Sequence, residues 1–346
     1  VGVVWAPGRA EIAAERVKPI RARLDSTPMR EPMRRLIDWI AAYTLSPPGA
    51  VLRMAMSVPD ALLPPRPAVL YRLPAAPAPD GDVRLTPARR RVLDFMADAP
   101  PLPASDIARA AGVGVGVVKG LQAPGLIEPV LQVSEPVPPQ PDAGHPGPPL
   151  SDGQRPAAAS LVAAVEARAF SVTLLDGVPG AGKTEVYFEA IVAALRLGRQ
   201  VLVLLPEIAL SAQWLRRFEQ RFGALPGEWH SELTGLERRR TWRAVQSGAA
   251  RVVVGARSAL FLPFRDLGAI VVDEEHESAF KQEDGVIYNA RDMAVVRARL
   301  EGVAAVLVSA TPSLETVVNA ESGRYALQPL PARHGGAAMA TVGAID

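Results

Sequence analysis

A glycine-rich stretch with one lysine and one threonine follows an apolar run in the middle of the chain. The stretch GVPGAGKT, residues 177–184, fits the pattern G-x-x-x-x-G-K-[ST] and comes just after the apolar run at 172–175. Its glycines would allow several backbone N–H groups to turn inward around a phosphate. Lys183 would reach the outer phosphates of a nucleotide, and Thr184 would hold Mg²⁺. The glycines expected to shape this pocket are Gly177, Gly180 and Gly182.

An acidic run closes another apolar stretch farther along the chain. In AIVVDEEHE, Asp273 ends the apolar part and Glu274 follows it. Asp273 would bind the metal directly or through water, and Glu274 would orient and deprotonate an attacking water. Glu275 and His276 complete the run, and His276 would relay between a nucleotide and DNA. A solvated turn is the alternative, but this run closes a buried strand, where α/β sheets place their ligands.

Two hydroxyl side chains follow a third apolar run. LVSATPSLE, residues 307–315, places Ser309 and Thr311 at the end of that run. Both side chains are short and would hydrogen-bond the acidic run and respond to its state. The order of the three motifs, a phosphate loop, an acidic run and then SAT, is typical of a motor ATPase.

Continuous apolar runs alternate with helix-like segments from about residue 150 onwards. β-branched runs of this kind, between helices, indicate a parallel sheet that is buried on both faces. The sequence therefore predicts a doubly wound α/β domain that carries the three motifs. The runs expected to be strands are 172–175, 201–205, 251–255, 269–273 and 305–309.

Composition limits the classes of protein to consider. The 346 residues are 49% hydrophobic, which suffices for two or three domains. The absence of cysteine excludes disulfides and cysteine-ligated zinc within this sequence, and it fits a reducing compartment. A net charge of +2 does not by itself indicate a nucleic-acid partner. We find no secretory signal and no apolar run near the roughly 20 residues of a membrane helix, so we expect a cytoplasmic protein with no membrane partner.

Proline-rich stretches divide the chain into segments. The predicted segments are 1–63, a linker at 64–82, a small unit at 83–135, a linker at 136–149, the α/β domain at 150–330 and a tail at 331–346. The first segment begins with the strand-like run VGVVW. A helix-like stretch at 32–45 follows, with four apolar residues on one face: Leu36, Ile37, Ile40 and Leu45.

The unit at 83–135 has three short helix-like segments followed by a β-ribbon pattern. Thr86 is positioned to cap the first helix, with Pro87 at its first turn. The pair of segments within 105–121 resembles a helix-turn-helix, so the pattern indicates a winged helix that binds DNA. A small helical spacer with no ligand is the alternative.

Five stretches together resemble superfamily 2 helicases, and most closely the primosomal replication-restart helicases. They are GVPGAGKTEVY, LLPEIALS, GARSALFLPF, VVDEEHESAFKQEDGVIYNARDMAVVRA and VSATPSLET. The resemblance covers essentially the whole chain and is strongest over 150–330. It implies a multidomain α/β protein, with a partial, β-rich 3′-end DNA-binding domain at 1–63, a winged helix at 83–135 and a RecA-like P-loop lobe at 150–330.

The resemblance also implies roles for residues outside the three motifs. Gln154 matches a family glutamine that contacts adenine, and its amide has the donor and acceptor this needs. Arg257 and Ser258 match a position that faces the DNA backbone, although a structural arginine is the alternative.

The segment after the acidic run matches a family loop that couples DNA binding to hydrolysis. Aromatic faces can stack on single-stranded bases, and cations can meet phosphates. Val286 and Asn289 stand where the family has Trp and His, which predicts a weaker stacking platform; alternatively, the aromatic residues anchor the loop to the core. The residues expected to act here are Phe280, Lys281, Tyr288 and Arg291.

The resemblance implies an ATP-dependent 3′-to-5′ DNA helicase that uses ATP and Mg²⁺ and binds forked and single-stranded DNA. Primosome and helicase-loading proteins are its implied partners. The family's second RecA-like lobe and its zinc-binding cysteines have no counterpart in this sequence, so it resembles a fragment, with nucleotide and fork binding but weak turnover. Two alternatives are a non-catalytic fork-binding scaffold derived from a helicase and a P-loop ATPase that acts on protein or RNA.

Overall fold

The computed structural model describes residues 22–64, 67–75, 85–132, 137–206 and 212–333, together with positions 3, 5, 13, 19 and 20. The chain forms two compact units, one of Val1–Leu63 with Val137–Asp346 and one of Pro64–Pro136.

Two helices form the described start of the larger unit, α1 (Glu31–Tyr43) and α2 (Pro48–Ala55), and a 3-10 helix follows at Pro59–Leu62. The expected apolar face of α1 is buried at Leu36, Ile37 and Ile40. Leu45 does not continue that face: α1 ends at Tyr43, and Leu45 is 92% exposed with a φ of +52°. The strand-like run VGVVW lies outside the described residues except for Val3 and Trp5.

The smaller unit combines a three-stranded antiparallel sheet with three helices. The sheet order places β1 (Ala68–Arg72) between β2 (Leu102–Pro103) and β3 (Glu128–Gln132). The helices are α3 (Pro87–Ala97), α4 (Ala104–Ala110) and α5 (Val115–Lys119). Thr86 caps α3 as predicted, because its Oγ1 accepts a hydrogen bond from the N–H of Arg89 at 3.3 Å.

The prediction of a linker over 64–82 is wrong for β1. The stretch AVLYR pairs along its whole length with β3, and Tyr71 is buried in the core of the smaller unit. A strand rather than a linker forms because β-branched and aromatic side chains fit a pleated, half-buried surface. The winged-helix identity of this unit stays a prediction.

A seven-stranded parallel sheet forms the centre of the larger unit. Its order is β12-β4-β11-β8-β5-β7-β6. The strands are β4 (Ser171–Gly177), β5 (Gln200–Leu204), β6 (Gly227–Trp229), β7 (Val252–Gly255), β8 (Leu267–Asp273), β11 (Ala304–Ser309) and β12 (Ala326–Leu330). The five predicted strand runs therefore lie in one sheet, although the sequence did not specify their order.

Helices cover both faces of this sheet, because its strands send alternate side chains to opposite sides. Val201 and Val203 join one core cluster, whereas Leu202 and Leu204 join the other. One face carries α6 (Gln154–Glu166), α7 (Lys183–Arg196) and α8 (Ala212–Phe222). The other carries α9 (Gly235–Ser247) and α10 (Ala290–Glu301), together with α1 and α2; α11 (Leu314–Glu321) follows β11. Two short antiparallel strands, β9 (Lys281–Gln282) and β10 (Tyr288–Asn289), precede α10.

Helix α1 packs on α10 within this unit. Besides the shared apolar core, Arg30 pairs with Glu301 at 2.9 Å and donates to the carbonyl of Phe264 at 3.2 Å. The segment predicted as a separate domain therefore contributes its described helices to the core of the α/β unit.

The segment 136–149, predicted as a linker, packs along the larger unit over its described part. The N–H of Asp142 donates to the carbonyl of Phe222 at 2.8 Å, and Arg221 Nη1 donates to the carbonyl of His145 at 2.6 Å. The prediction is wrong here because these backbone groups find partners on α8, so a segment rich in Pro and Gly packs without regular structure.

Within the described ranges, no helix combines the length and the apolar character needed to cross a membrane.

Replacing Ile40 with alanine tests the packing of α1. Ile40 is fully buried, so Ile40→Ala removes apolar contacts and leaves a cavity, and we expect the free energy of unfolding to fall by about 2–5 kcal/mol in urea denaturation. Arg35→Ala is the matched control, because Arg35 is exposed on the same helix, and it should change stability by about 0.5 kcal/mol or less. Equal effects of the two substitutions would contradict the packing described.

Candidate nucleotide-binding site

The glycine-rich loop joins β4 to α7, as its sequence pattern predicts. Gly180 and Gly182 have φ values of +81° and +76°, in the left-handed region that glycine enters at little cost. A Cβ at Gly182 would also clash with Nε2 of Gln154. A Cβ at Gly177 would lie 3.0 Å from side-chain atoms of both Lys183 and Leu330. The three predicted glycines therefore meet separate constraints of conformation and space.

A cavity of about 820 Å³ opens beside this loop. It lies where the loop before α7 faces the acidic run after β8. The sequence-predicted residues that line it are Gln154, Gly180, Gly182, Lys183, Thr184, Asp273, Glu274, His276 and Thr311. Glu185 and Arg217 are further charged residues on its wall. The structure thus brings the three motifs to one place.

Strand order explains this convergence. β11 lies between β4 and β8 and runs parallel to both, so the three carboxyl ends meet at one edge of the sheet. Ser309 of β11 is paired with Asp176 of β4, and Val308 is paired with Asp273 of β8. Ligand sites of open α/β sheets lie at this edge.

Lys183 begins α7 and folds back over the loop. Its Nζ donates to the carbonyl of Gly177 at 2.9 Å, and its charge lowers the pKa of Asp273. Lys183 and Asp273 therefore lie on the same side of the sheet, at the same cavity.

Asp273 is a buried carboxyl group held by two donors. The hydroxyl of Tyr187 donates to Oδ2 at 2.9 Å, and the N–H of Glu274 donates to Oδ1 at 3.0 Å. Burial is the largest influence on its pKa, and the charge of Glu274 acts in the same direction; together they raise the pKa from 3.8 to about 6 despite both hydrogen bonds. A cation in the cavity would favour the charged form of this carboxylate.

Tyr187 links Asp273 to helix α8. Burial, and secondarily the charge of Asp273, raise the pKa of the Tyr187 hydroxyl well above 10, so this hydroxyl keeps its proton. Its oxygen accepts a hydrogen bond from Trp214 Nε1 at 2.7 Å. The sequence analysis missed both residues; the only signal for Tyr187 is its place one helical turn after Lys183.

Glu274 has an unusual backbone conformation, and His276 connects the acidic run to β11. Glu274 has a φ of +52°, a conformation that is uncommon for a residue with a side chain and often found at functional sites. His276 Nδ1 lies 2.8 Å from Ser309 Oγ, which also accepts the N–H of Thr311 at 3.0 Å. The predicted hydrogen bond between the acidic run and the SAT residues is thus present for Ser309.

Glu275, the third acidic residue, faces away from the cavity and is buried. It accepts hydrogen bonds from Arg291 Nη1 at 3.2 Å, from the N–H of Ser313 at 2.7 Å and from Thr316 Oγ1 at 2.9 Å. The guanidinium of Arg291 is also bonded to Asp292, and the residue is only 6% exposed, so its contact with DNA stays a prediction that this structure does not support. Glu275 and Arg291 instead fix the start of α11.

The aromatic residues after the acidic run also pack inward. Phe280 and Tyr288 are 1% and 4% exposed, and Tyr288 meets Phe261 edge to face at a centroid distance of 5.6 Å. Here they anchor the loop to the core, which is the alternative that the sequence left open, and their stacking on DNA bases stays a prediction. Lys281 is exposed and pairs with Glu283 at 3.2 Å.

Arg257 supports this loop from the start of a short 3-10 helix, Arg257–Phe261. Its Nη1 donates to the carbonyls of Ala279 and Lys281 at 3.1 and 2.7 Å. Ser258 is exposed, and its Oγ accepts from Trp229 Nε1 at 3.1 Å. These contacts support the structural alternative for Arg257.

Gln154 contacts the loop through both ends of its amide. Nε2 donates to the carbonyl of Ala181 at 2.9 Å, and Oε1 accepts the N–H of Ser151 at 2.9 Å. The side chain is 3% exposed, and a buried amide is stable only with such partners. Gln154 thus supports the phosphate loop, and both amide atoms predicted to contact adenine are bonded to the protein.

Arg217 of α8 is a cavity residue that the sequence analysis did not identify. Its Nη2 pairs with Glu185 Oε1 at 2.8 Å, and its Nη1 lies 3.4 Å from Thr184 Oγ1. No motif marked it, because it lies in a helix whose sequence repeats arginine.

Family models match two parts of the chain. A model described as DEAD/DEAH box helicase matches residues 156–320, which include the phosphate loop, the acidic run and the SAT residues. A model described as 3'DNA-binding domain (3'BD) matches residues 1–57.

Curated relatives of this chain carry the name replication restart protein PriA. One from Rickettsia felis is 48% identical over 174 residues, covering 50% of this chain and 27% of the relative. One from Bacillus subtilis is 35% identical over 283 residues, covering 77% of this chain and 34% of the relative. One from Chlamydia pneumoniae is 33% identical over 363 residues, covering 100% of this chain and 48% of the relative. The chain thus spans less than half the length of these relatives.

The family resemblance found in the motifs is confirmed by these matches. The Chlamydia pneumoniae relative aligns with the whole chain, and the Rickettsia felis relative aligns with half of it at a higher identity. The two models add a helicase domain and a 3′-DNA-binding domain in the expected order. The chain therefore belongs to the PriA family of replication restart proteins.

Proposed function

We propose that this chain supplies the nucleotide-binding lobe of an ATP-dependent DNA helicase that moves 3′ to 5′ and acts in replication restart. The observation that carries the proposal is that Lys183, Thr184 and Asp273 line one cavity at the carboxyl edge of the sheet. Forked and single-stranded DNA would be the polymer bound by the whole protein, and helicase-loading proteins its partners.

The loop fits a nucleotide phosphate. Gly180 and Gly182 adopt conformations that turn backbone N–H groups toward a bound anion, and α7 begins directly after them at Lys183. The positive end of α7 and the Lys183 ammonium both favour negative charge at this point. ATP is therefore the substrate that we assign to the cavity.

Mg²⁺ fits the oxygen donors of the same cavity. The Thr184 hydroxyl and the Asp273 carboxylate would hold it, and Mg²⁺ ordinarily takes few protein ligands and keeps water and phosphate oxygens. When bound, the ion would neutralise charge on the phosphates. Within the described ranges no cluster of three or more His, Asp or Glu residues suits a metal, so this site depends on the nucleotide for its remaining ligands.

Glu274 is the residue that we assign to activation of water. It lines the cavity next to Asp273, and its side chain is 40% exposed. An exposed carboxylate in this position can accept a proton from water without the desolvation cost that Asp273 bears. His276, bonded to Ser309, would pass the state of the cavity on to β11.

DNA binding by the described part of the chain is assigned to exposed groups. Lys281 and Ser258 are exposed beside the loop that Arg257 supports. The match of residues 1–57 to a 3′-DNA-binding model supports a second contact, and the unit at Pro64–Pro136 would supply a third as a winged helix.

Substitution of Lys183 tests the proposal. Hydrogen bonds to charged groups contribute about 1.5–3 kcal/mol, so we expect Lys183→Ala to weaken the binding of Mg²⁺ and a non-hydrolysable ATP analogue about 10- to 100-fold in calorimetric titration. Lys119→Ala is the control, because Lys119 is an exposed lysine of the smaller unit.

Polymer dependence separates the alternatives in the same samples. Hydrolysis stimulated by forked or single-stranded DNA, and lost in Lys183→Ala, is the expected result. Unchanged analogue binding in Lys183→Ala would favour a non-catalytic scaffold, and stimulation by RNA alone would favour an RNA-dependent ATPase.

The charge of Asp273 gives a prediction for stability in magnesium-free buffer. Because its pKa is raised from 3.8 to about 6 in the folded chain, the folded state keeps a proton that the unfolded state has lost, and stability falls as the pH rises from about 4 to about 6. Asp273→Asn does not titrate. We therefore compare the free energy of unfolding of Asp273→Asn with that of the unmodified chain. The difference, variant minus unmodified, should increase between about pH 4 and about pH 6 by at most about 3 kcal/mol, at ~1.4 kcal/mol per pKa unit.

Urea denaturation between pH 4 and pH 8 measures this difference, and above about pH 6 it should be constant. A difference that does not vary with pH would show that the carboxylate carries no burial cost for a cation to relieve.

A further inference from the structure

Helix α8 contacts one residue that we assign to Mg²⁺ directly and is connected to the other through Tyr187 of α7. Trp214 and Arg217, three positions apart on α8, both form hydrogen bonds with the first two turns of α7. Trp214 acts through Tyr187, whose hydroxyl donates to Asp273 Oδ2 at 2.9 Å. Arg217 Nη1 donates directly to Thr184 Oγ1 at 3.4 Å.

The direction of the first connection is fixed by chemistry. The indole N–H of Trp214 can only donate, so the Tyr187 oxygen accepts that bond at 2.7 Å. The single proton of Tyr187 is then directed to Asp273. Tyr187 is fully buried, so water does not compete for either bond.

The second connection is made by a guanidinium that is itself held in place. Arg217 Nε and Nη2 both donate to Glu185 Oε1, at 3.3 and 2.8 Å. The planar group of arginine presents several donors in a fixed arrangement, which allows it to meet Glu185 and Thr184 together.

Helix α8 is rigidly attached to α7, which starts at the phosphate loop. Trp214 and Phe218 stack at a centroid distance of 5.4 Å, and Phe188 of α7 meets Trp214 edge to face at 5.9 Å. One turn beyond the Arg217 pair, Arg221 pairs with Glu189 at 2.9 Å. A shift of α8 would therefore be transmitted to both oxygen ligands.

We propose that α8 positions the metal ligands of the nucleotide site, with Trp214 orienting the Asp273 carboxylate through Tyr187 and Arg217 orienting the Thr184 hydroxyl. This inference rests on the proposed function, because it concerns the same Mg²⁺ and nucleotide. Trp214, Tyr187 and Arg217 are positioning residues, since they act through the two ligands.

The test measures the Mg²⁺ concentration that half-saturates binding of a fluorescent ATP analogue to the full chain. Groups that orient metal ligands typically contribute about 10- to 100-fold to metal affinity, so we expect Tyr187→Phe to raise this concentration about tenfold. We expect Trp214→Phe, which acts one bond farther away, to raise it about threefold. Analogue binding in EDTA should stay unchanged in both variants.

A double variant tests the order of the connection. If Trp214 acts through Tyr187, then Trp214→Phe combined with Tyr187→Phe should match Tyr187→Phe alone. Trp242→Phe is the control for loss of a buried indole, because Trp242 lies in α9 and is 4% exposed; it should leave the half-saturating Mg²⁺ concentration unchanged.

Arg217→Lys keeps the positive charge but loses the planar group, and we expect it to raise the half-saturating Mg²⁺ concentration about threefold. Arg216→Lys on the exposed side of α8 is its control.

The outcomes separate this inference from the proposed function. If the unmodified chain binds the analogue with Mg²⁺ and the variants alter only stability, the positioning role is wrong while the nucleotide site stands. If the unmodified chain shows no Mg²⁺-dependent binding at all, the proposed function itself fails.

Discussion

The parallel arrangement of β4, β11 and β8 is the constraint on which the candidate site depends. Because the three strands are neighbours and run in one direction, their carboxyl ends bring the phosphate loop, Ser309 and Asp273 to a single edge. Lys183 and Asp273 are far apart in sequence, yet both line one cavity. A different strand order would separate the lysine and the carboxylate, whatever the motifs contained.

Burial of Asp273 makes the charged form of its carboxyl group energetically costly. The surroundings favour the protonated carboxyl, with a pKa of about 6, even though Tyr187 and the N–H of Glu274 stabilise the charged form. A divalent cation would offset this cost, and the phosphate loop supplies the place for the anion that accompanies it. The burial of Asp273 thus explains why a cation in the cavity would stabilise the charged carboxylate.

Local patterns predicted the loop, the strands and the Thr86 cap, because each depends on residues close in sequence. The strand order was not predicted, since pairing between distant segments leaves no local pattern. Phe280 and Tyr288 were assigned to DNA because aromatic composition is the same whether a ring stacks on a base or packs in a core. Tyr187 and Trp214 were missed because their partners lie 86 and 27 residues away along the chain.

The most direct test replaces Mg²⁺ with Mn²⁺ and measures electron–nuclear couplings of the bound ion by pulsed paramagnetic resonance. With an ATP analogue present and the chain in excess, the account predicts phosphorus couplings from coordinated phosphates in the chain-bound ion. It also predicts that the chain-bound fraction of Mn²⁺ falls when Thr184 and Asp273 are both replaced by residues without oxygen ligands. Mn²⁺ that binds this chain without phosphorus in its coordination sphere, or whose chain-bound fraction is unchanged after both replacements, would contradict the central claim.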